Sequence, residues 1–137
     1  MGQISRATIQ WQDKLHFKAT TGSGHKFHLD GDKEQAASPM EALLAAMGGC
    51  SSIDVVLILE KMRQTVTDCR CELEAERAEE DPKVFVRIHA HYHITGDNLD
   101  PKKVERAIAL SSEKYCSASV MLGKTADITT DYSLYSA

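Results

Sequence analysis

The sequence predicts an α+β fold, with elements in the order βββ-α-ββ-α-β in a single domain, residues 1–137. Three observations carry this. The stretch from Ser38 to Glu60 is apolar over helical length. Short segments of period-two alternation precede and follow it. The strands come in runs rather than alternating with helices, which makes the sheets mainly antiparallel.

The central helix has a start signal. Ser38 can cap, Pro39 suits the first helical position, and Glu41 stands three residues after Ser38, completing a capping box. From Ala42 to Leu59 the only charged residue is Asp54. A helix apolar on nearly every side must be buried on nearly every side. Its length would cross a bilayer, but Gly48, Gly49, Ser51, Ser52 and Asp54 occupy the centre, where charge is costly in lipid. It reads as a buried helix, not a membrane span. One sheet from one chain covers only one side of such a rod. Packing therefore predicts an obligate homodimer with the two helices inside.

Before the helix, Gln3 to Trp11, Leu15 to Ala19 and Lys26 to Leu29 read as a three-stranded meander, with a turn at Thr20 to Gly24. After it, Asp68 to Ala78 is a strand with Cys69, Cys71, Leu73 and Ala75 on one face and Glu72, Glu74 and Glu76 on the other. Glu79 to Pro82 forms a hairpin turn. In the next strand, Val84 to Thr95, the alternation places Val84, Val86, Ile88, Ala90, Tyr92 and Ile94 inward. Phe85, Arg87, His89, His91 and His93 then face outward. A second helix starts at Asp100-Pro101, with Val104, Ala107, Ile108 and Leu110 at helical spacing, and ends near Cys116. Ser117 to Gly123 is a short segment of mostly small residues, and Thr125 to Leu134 is the last strand.

Charged residues are 26% and hydrophobic ones 42%, the profile of a soluble globular protein. A net charge of −4 leaves no footprint for nucleic acid or an anionic membrane. Met1 to Trp11 contains no apolar run of signal-peptide type, so the expected location is cytoplasmic. There, the four cysteines are thiols, metal ligands or redox residues rather than structural disulfides.

Cys50 and Cys116 stand out, because each ends up beside small residues that leave room for a substrate or a second sulfur. Two readings fit the residues: a redox pair, or two buried small apolar side chains. A further pattern bears on the choice. Pro39-x-Glu41-x-Leu43-Leu44-Ala45-Ala46, then Cys50, then Cys116 within Glu113-Lys114-Tyr115-Cys116-Ser117, resembles the OsmC/Ohr family in its YhfA-type branch. The likeness covers nearly the whole chain. It implies antiparallel sheets wrapped around central helices in an intertwined homodimer. It also implies thiol-dependent reduction of organic hydroperoxides. By that resemblance Cys50 attacks the peroxide and becomes a sulfenic acid, Cys116 resolves it as a disulfide, and a dithiol or lipoylated protein restores both thiols.

The chain departs from the family pattern twice. The family's glutamate directly follows the proline, where this chain has Met40; Glu41 comes one later, on the face opposite Cys50 in a straight helix, and reads as the capping acid. The family's activating arginine lies in the turn matching roughly Gly22 to Gly24. No arginine occurs between Arg6 and Arg63, so His25 and Lys26 are the expected stand-ins, with Lys18, His16 and His28 behind them. A cation matters because a free thiol titrates near 8.5, leaving only a small thiolate fraction at neutral pH. Asp54, one turn after Cys50, disfavours a thiolate there and reads as a buried polar residue with a partner of its own. Lys114 is a candidate partner for it.

His89, His91 and His93 share a strand face, a spacing that suits zinc or nickel, but the expectation is a solvated face of mixed charge with no metal and no cofactor. Cys69 and Cys71 read as half-buried strand residues. Two functions are thus in view. One is an organic hydroperoxide reductase acting through Cys50 and Cys116, with Glu41, His25 and Lys26 supporting. The other is a non-catalytic dimer of the same fold that binds a small hydrophobic ligand.

Overall fold

In the computed structural model, which describes residues 2–137, the capping box forms as the spacing predicts. Ser38 N–H donates to Glu41 Oε1 at 2.9 Å, and Glu41 N–H donates to Ser38 Oγ at 3.2 Å. Helix α1 then runs Pro39–Lys61. The chain divides into two compact units, one ending at Leu43 and the other running Leu44–Ala137.

The first unit holds an antiparallel sheet of β1 (Ala7–Asp13), β2 (His16–Thr21) and β3 (Lys26–Asp30), in that spatial order. Register pairs Ile9 with Ala19, Trp11 with Phe17, Ala19 with Phe27 and Phe17 with Leu29, so one face is largely apolar. β1 starts at Ala7 rather than Gln3, because its partner β2 ends at Thr21, opposite Ala7. Past β3, the buried Asp30 carboxylate accepts the N–H groups of Asp32 and Gln35 at 2.9 and 3.0 Å. These bonds, Gln35 foremost, hold its pKa below the ordinary value and shape the loop that leads to α1.

The second unit contains the sheet β4-β5-β6, from β4 (Thr65–Arg77), β5 (Phe85–Asp97) and β6 (Asp127–Ser136). Between β5 and β6 come α2 (Pro101–Leu110), a π-helical turn (Ser111–Tyr115) and a short helix α3 (Ser117–Leu122). Asp100 caps α2 by accepting Lys102 N–H at 3.0 Å. The core joins Val55 and Leu59 of α1, Ala90, Tyr92 and Ile94 of β5, and Val104, Ala107 and Ile108 of α2. Cys69, Cys71 and Leu73 of β4 pack against it as the alternation predicts.

Three features differ from the sequence expectation. β6 pairs parallel to β5, while the other three strand pairings are antiparallel. The chain between them is long enough, with its helices, for the crossover that parallel pairing needs. α3 forms in the segment of small residues. At the start of β5, Phe85 is buried and Val86 exposed, the reverse of the simple alternation. A bulge explains this: Glu76 pairs with Arg87 but Arg77 pairs with Phe85, so one extra β5 residue intervenes and the pleat changes phase.

α1 has the length and apolar content to cross a bilayer, yet one of its faces is built into protein: Met47, Ser51, Val55 and Leu59 are buried. Ala45, Gly49, Ile53 and Leu57, spaced four apart, are exposed on another.

Candidate functional site

α1 and the π-helical turn bring the two predicted cysteines together. Both the start and the end of that turn matter. Ser111 begins it and meets α1, and Cys116 N–H donates back to Ser111 O at 2.8 Å as the turn closes. The donor atoms of Cys50, Asp54 and Cys116 all lie within 4.8 Å of one another. Both thiols are free, Cys50 half-buried and Cys116 fully buried.

Cys116 is held on several sides. Its sulfur accepts the Ser119 N–H at 3.3 Å and the Ser119 hydroxyl at 3.1 Å, which makes Cys116 the cap of α3. Its S–H faces Met47 O at 3.9 Å. Burial pushes the Cys116 thiol above its ordinary pKa; the Ser119 bonds oppose this, and the nearby Cys50 sulfur adds to it. Cys116 is therefore a protonated thiol at neutral pH.

Sequence reasoning missed the hydroxyl network beneath the sulfurs. Ser51 Oγ bonds Tyr92 OH and, at 3.0 Å, Ser111 Oγ, while Ser111 Oγ lies 3.3 Å from Asp54 Oδ2. Burial raises the Tyr92 pKa to about 12, so the phenol stays neutral and available to donate. The visible signal was Ser51 inside an otherwise apolar helix: a hydroxyl buried there needs a partner. Asp54 has the partner expected of it, but the partner is Ser111. Lys114 instead places its Nζ 5.2 Å from the centre of the Tyr115 ring.

The remaining predicted site residues fall in the first unit. The Glu41 carboxylate is engaged in the capping box, and the Ser38 N–H bond lowers its pKa. His25 lies in the β2–β3 turn with Nδ1 2.9 Å from Ser23 Oγ, and Lys26 opens β3; both are exposed. His16 Nε2 and His28 Nδ1 bond each other at 2.8 Å. Arg6, which the sequence pattern set aside, lies against the same turn: its carbonyl accepts Gly22 N–H at 2.8 Å. With Ser5, Thr21, Gly22 and Ser23 it lines a hollow there.

Beside Asp54, a cavity of about 410 Å³ is lined by Leu57, Ile58, Lys61, Leu110 and Tyr115. Its walls combine apolar side chains with the charged ends of Asp54 and Lys61. Cys50, Asp54 and Cys116 also make a three-donor set of the kind a thiolate-binding cation uses. Cys69 and Cys71 are different: both thiols are pushed up by burial, Cys71 to about 11, an effect that the nearby Ser52 of α1 partly offsets. They are packing residues between β4 and α1.

Comparison with known proteins agrees with this architecture. The model of the OsmC-like protein family matches residues 31–131. Protein YhfA of Escherichia coli strain K12 is 46% identical over 133 residues, spanning 96% of this chain and 99% of that protein. The crystal structure of a hypothetical protein from Aquifex aeolicus VF5 superimposes with a TM-score of 0.90 at 29% identity, covering 99% of each chain. An organic hydroperoxide resistance protein OsmC from Legionella pneumophila shares the fold with a TM-score of 0.72 at 19% identity, over 96% of this chain and 97% of that one. By the extent of the family match and the identity to YhfA, the chain belongs to the OsmC-like family.

Proposed function

We propose that this protein reduces organic hydroperoxides through Cys50 and Cys116, working as a homodimer. The observation that carries the proposal is the convergence of the two sulfurs within 4.8 Å, one half-open and one buried. Accessibility supports a division of roles. A peroxide reaches the half-buried Cys50 first, and the enclosed Cys116 is left for the second step.

The Cys50 thiolate attacks the terminal peroxide oxygen, the O–O bond breaks, and the alkoxide leaves as an alcohol after taking a proton. Cys50 is then a sulfenic acid. The Cys116 sulfur attacks it, water leaves, and a disulfide forms. An external dithiol reduces that disulfide by exchange and is itself oxidised, restoring both thiols. The cavity beside Asp54 supplies apolar walls for an organic substituent. A thiolate at Cys50 needs a positive partner, the role for which the sequence offers His25 and Lys26.

Stopped-flow oxidation of the reduced protein by cumene hydroperoxide tests this. Wild type should outpace free cysteine by at least about a hundredfold, the lower range for a positioned, activated group, and Cys50→Ser should abolish the reaction. Cys116→Ser should keep the first step and stop at the sulfenic acid. If wild type is no faster than free cysteine, or Cys50→Ser reacts like wild type, the peroxidase proposal fails. The cavity then favours the second reading, a pocket that binds a small hydrophobic molecule without chemistry.

A further inference from the structure

On the second sheet, the face opposite the core carries a set of side chains that the cysteine chemistry does not use. His89, His91 and His93 alternate along β5 with the buried Ala90, Tyr92 and Ile94. The parallel register sets Asp131 of β6 directly opposite His91, with Thr129 opposite His89 and Ser133 opposite His93. From this placement we propose that His89, His91 and Asp131 form a binding site for a divalent transition cation of the zinc class.

The atoms converge as such a site requires. Asp131 Oδ1 lies 2.8 Å from His89 Nε2 and within hydrogen-bond distance of His91 Nδ1, so two imidazole nitrogens and one carboxylate oxygen already point at one spot. Two imidazoles and a carboxylate suit zinc and its neighbours, not magnesium or calcium, which prefer oxygen alone. Zinc–nitrogen and zinc–oxygen bonds of about 2.0–2.1 Å put ligand atoms about 3.3 Å apart in a tetrahedron. The carboxylate oxygen would need to draw back from each nitrogen by less than about 1 Å. Asp131 is 59% exposed and the His89 and His91 rings are 33% and 27% exposed, so an ion has a route in.

The partners behind the ligands support the same conclusion. His89 Nδ1 lies 2.7 Å from Thr129 Oγ1, and His91 Nε2 lies 2.9 Å from Ser133 Oγ. Each ring can give its far N–H to a hydroxyl, which leaves the near nitrogen as a lone pair aimed at the ion. This is the arrangement by which proteins orient metal-binding histidines. Glu72, Glu74, His89, His91 and His93 line a hollow of about 380 Å³ over this face. His93 is engaged separately, by Glu72 and by Tyr135 OH at 2.8 Å, and is not counted as a ligand.

The test uses untagged full-length protein carrying Cys50→Ser and Cys116→Ser, which removes the competing sulfur set. Zn²⁺ alone is titrated by calorimetry, and Co²⁺ is followed by visible absorption. One equivalent of Zn²⁺ per chain is expected, with a cobalt spectrum free of thiolate charge transfer. Asp131→Asn and His91→Asn should each weaken Zn²⁺ binding about tenfold or more, while circular dichroism stays unchanged. No binding in the double serine protein overturns the proposal. So does binding that both substitutions leave intact, because the histidine ladder would then be a structural hydrogen-bond network only.

Discussion

Cys116 is pulled in two directions by its surroundings. Burial, with the neighbouring Cys50 sulfur, raises its pKa, and the Ser119 N–H and hydroxyl lower it by donating to the sulfur. Only a thiolate attacks a sulfenic acid efficiently, so the Ser119 hydroxyl should help the resolving step. In Ser119→Ala the N–H remains and one donor is lost. The pH profile of disulfide closure should therefore move to higher pH. At pH 7 closure should slow about fivefold, from about 1 kcal/mol for one hydrogen bond. Quenched-flow thiol counting checks this, and sulfenic acid formation at Cys50 serves as the internal control. An unchanged profile would mean that the Ser119 hydroxyl serves only the packing of α3. The two cysteines were legible in the sequence, because each stands beside small residues in an otherwise regular pattern. Ser119 was not, since it becomes a sulfur's partner only once α3 exists, and nothing in Ser117 to Gly123 announces a helix. The same limit hid Ser111, which is sixty residues from Ser51 along the chain and 3.0 Å from it in space.

At the scale of elements, two glycines show what the strands and helices demand of each other. The Gly48-Gly49 pair reads in the sequence as room for a substrate or sulfur. The structure divides them: a Cβ on Gly48 would lie 2.6 Å from Leu73 Cδ1, whereas Gly49 has nothing within 4 Å. Gly48 thus lets β4 approach α1. Gly96 is more tightly confined, because a Cβ there would lie 2.1 Å from Thr65 O and 2.9 Å from Leu99 Cδ2. A backbone oxygen at the start of β4 cannot swing aside as a leucine methyl can. Gly96→Ala should therefore lose about 1–3 kcal/mol, the usual range for overpacking, as a lower urea midpoint at unchanged slope. A loss within experimental error would mean that β4 shifts freely at its first residues. Element identities followed well from periodicity, because alternation and helical spacing are local properties. The phase of β5 did not. It depends on a bulge opposite Arg77, and that is a property of two paired strands rather than of either one.

The whole molecule leaves apolar surface that one chain does not cover. In the first unit, Ile9, Trp11 and Phe27 share the apolar sheet face and remain 53%, 59% and 47% exposed. In the second, Ile53 and Leu57 on α1 remain 63% and 49% exposed. The sequence showed α1 to be apolar all round, and the single chain buries one side of it. The homodimer proposed above accounts for the other side, since contiguous apolar patches of this kind mark interaction surfaces and their burial is the main driving force of association. Sedimentation equilibrium at micromolar concentration should give about twice the 15.1 kDa chain mass. Ile53→Asp places a charge at the centre of the exposed α1 stripe, so it should shift the protein to monomer or to aggregates and lower its thermal midpoint. A stable, folded wild-type monomer at that concentration would remove the dimer. It would also separate the two levels of the proposal: the paired sulfurs lie wholly within one chain's second unit, whereas His25 and Lys26 belong to the first. Peroxide reduction by such a monomer would locate the whole chemistry in a single chain, and an inert monomer with intact thiols would tie Cys50 activation to assembly.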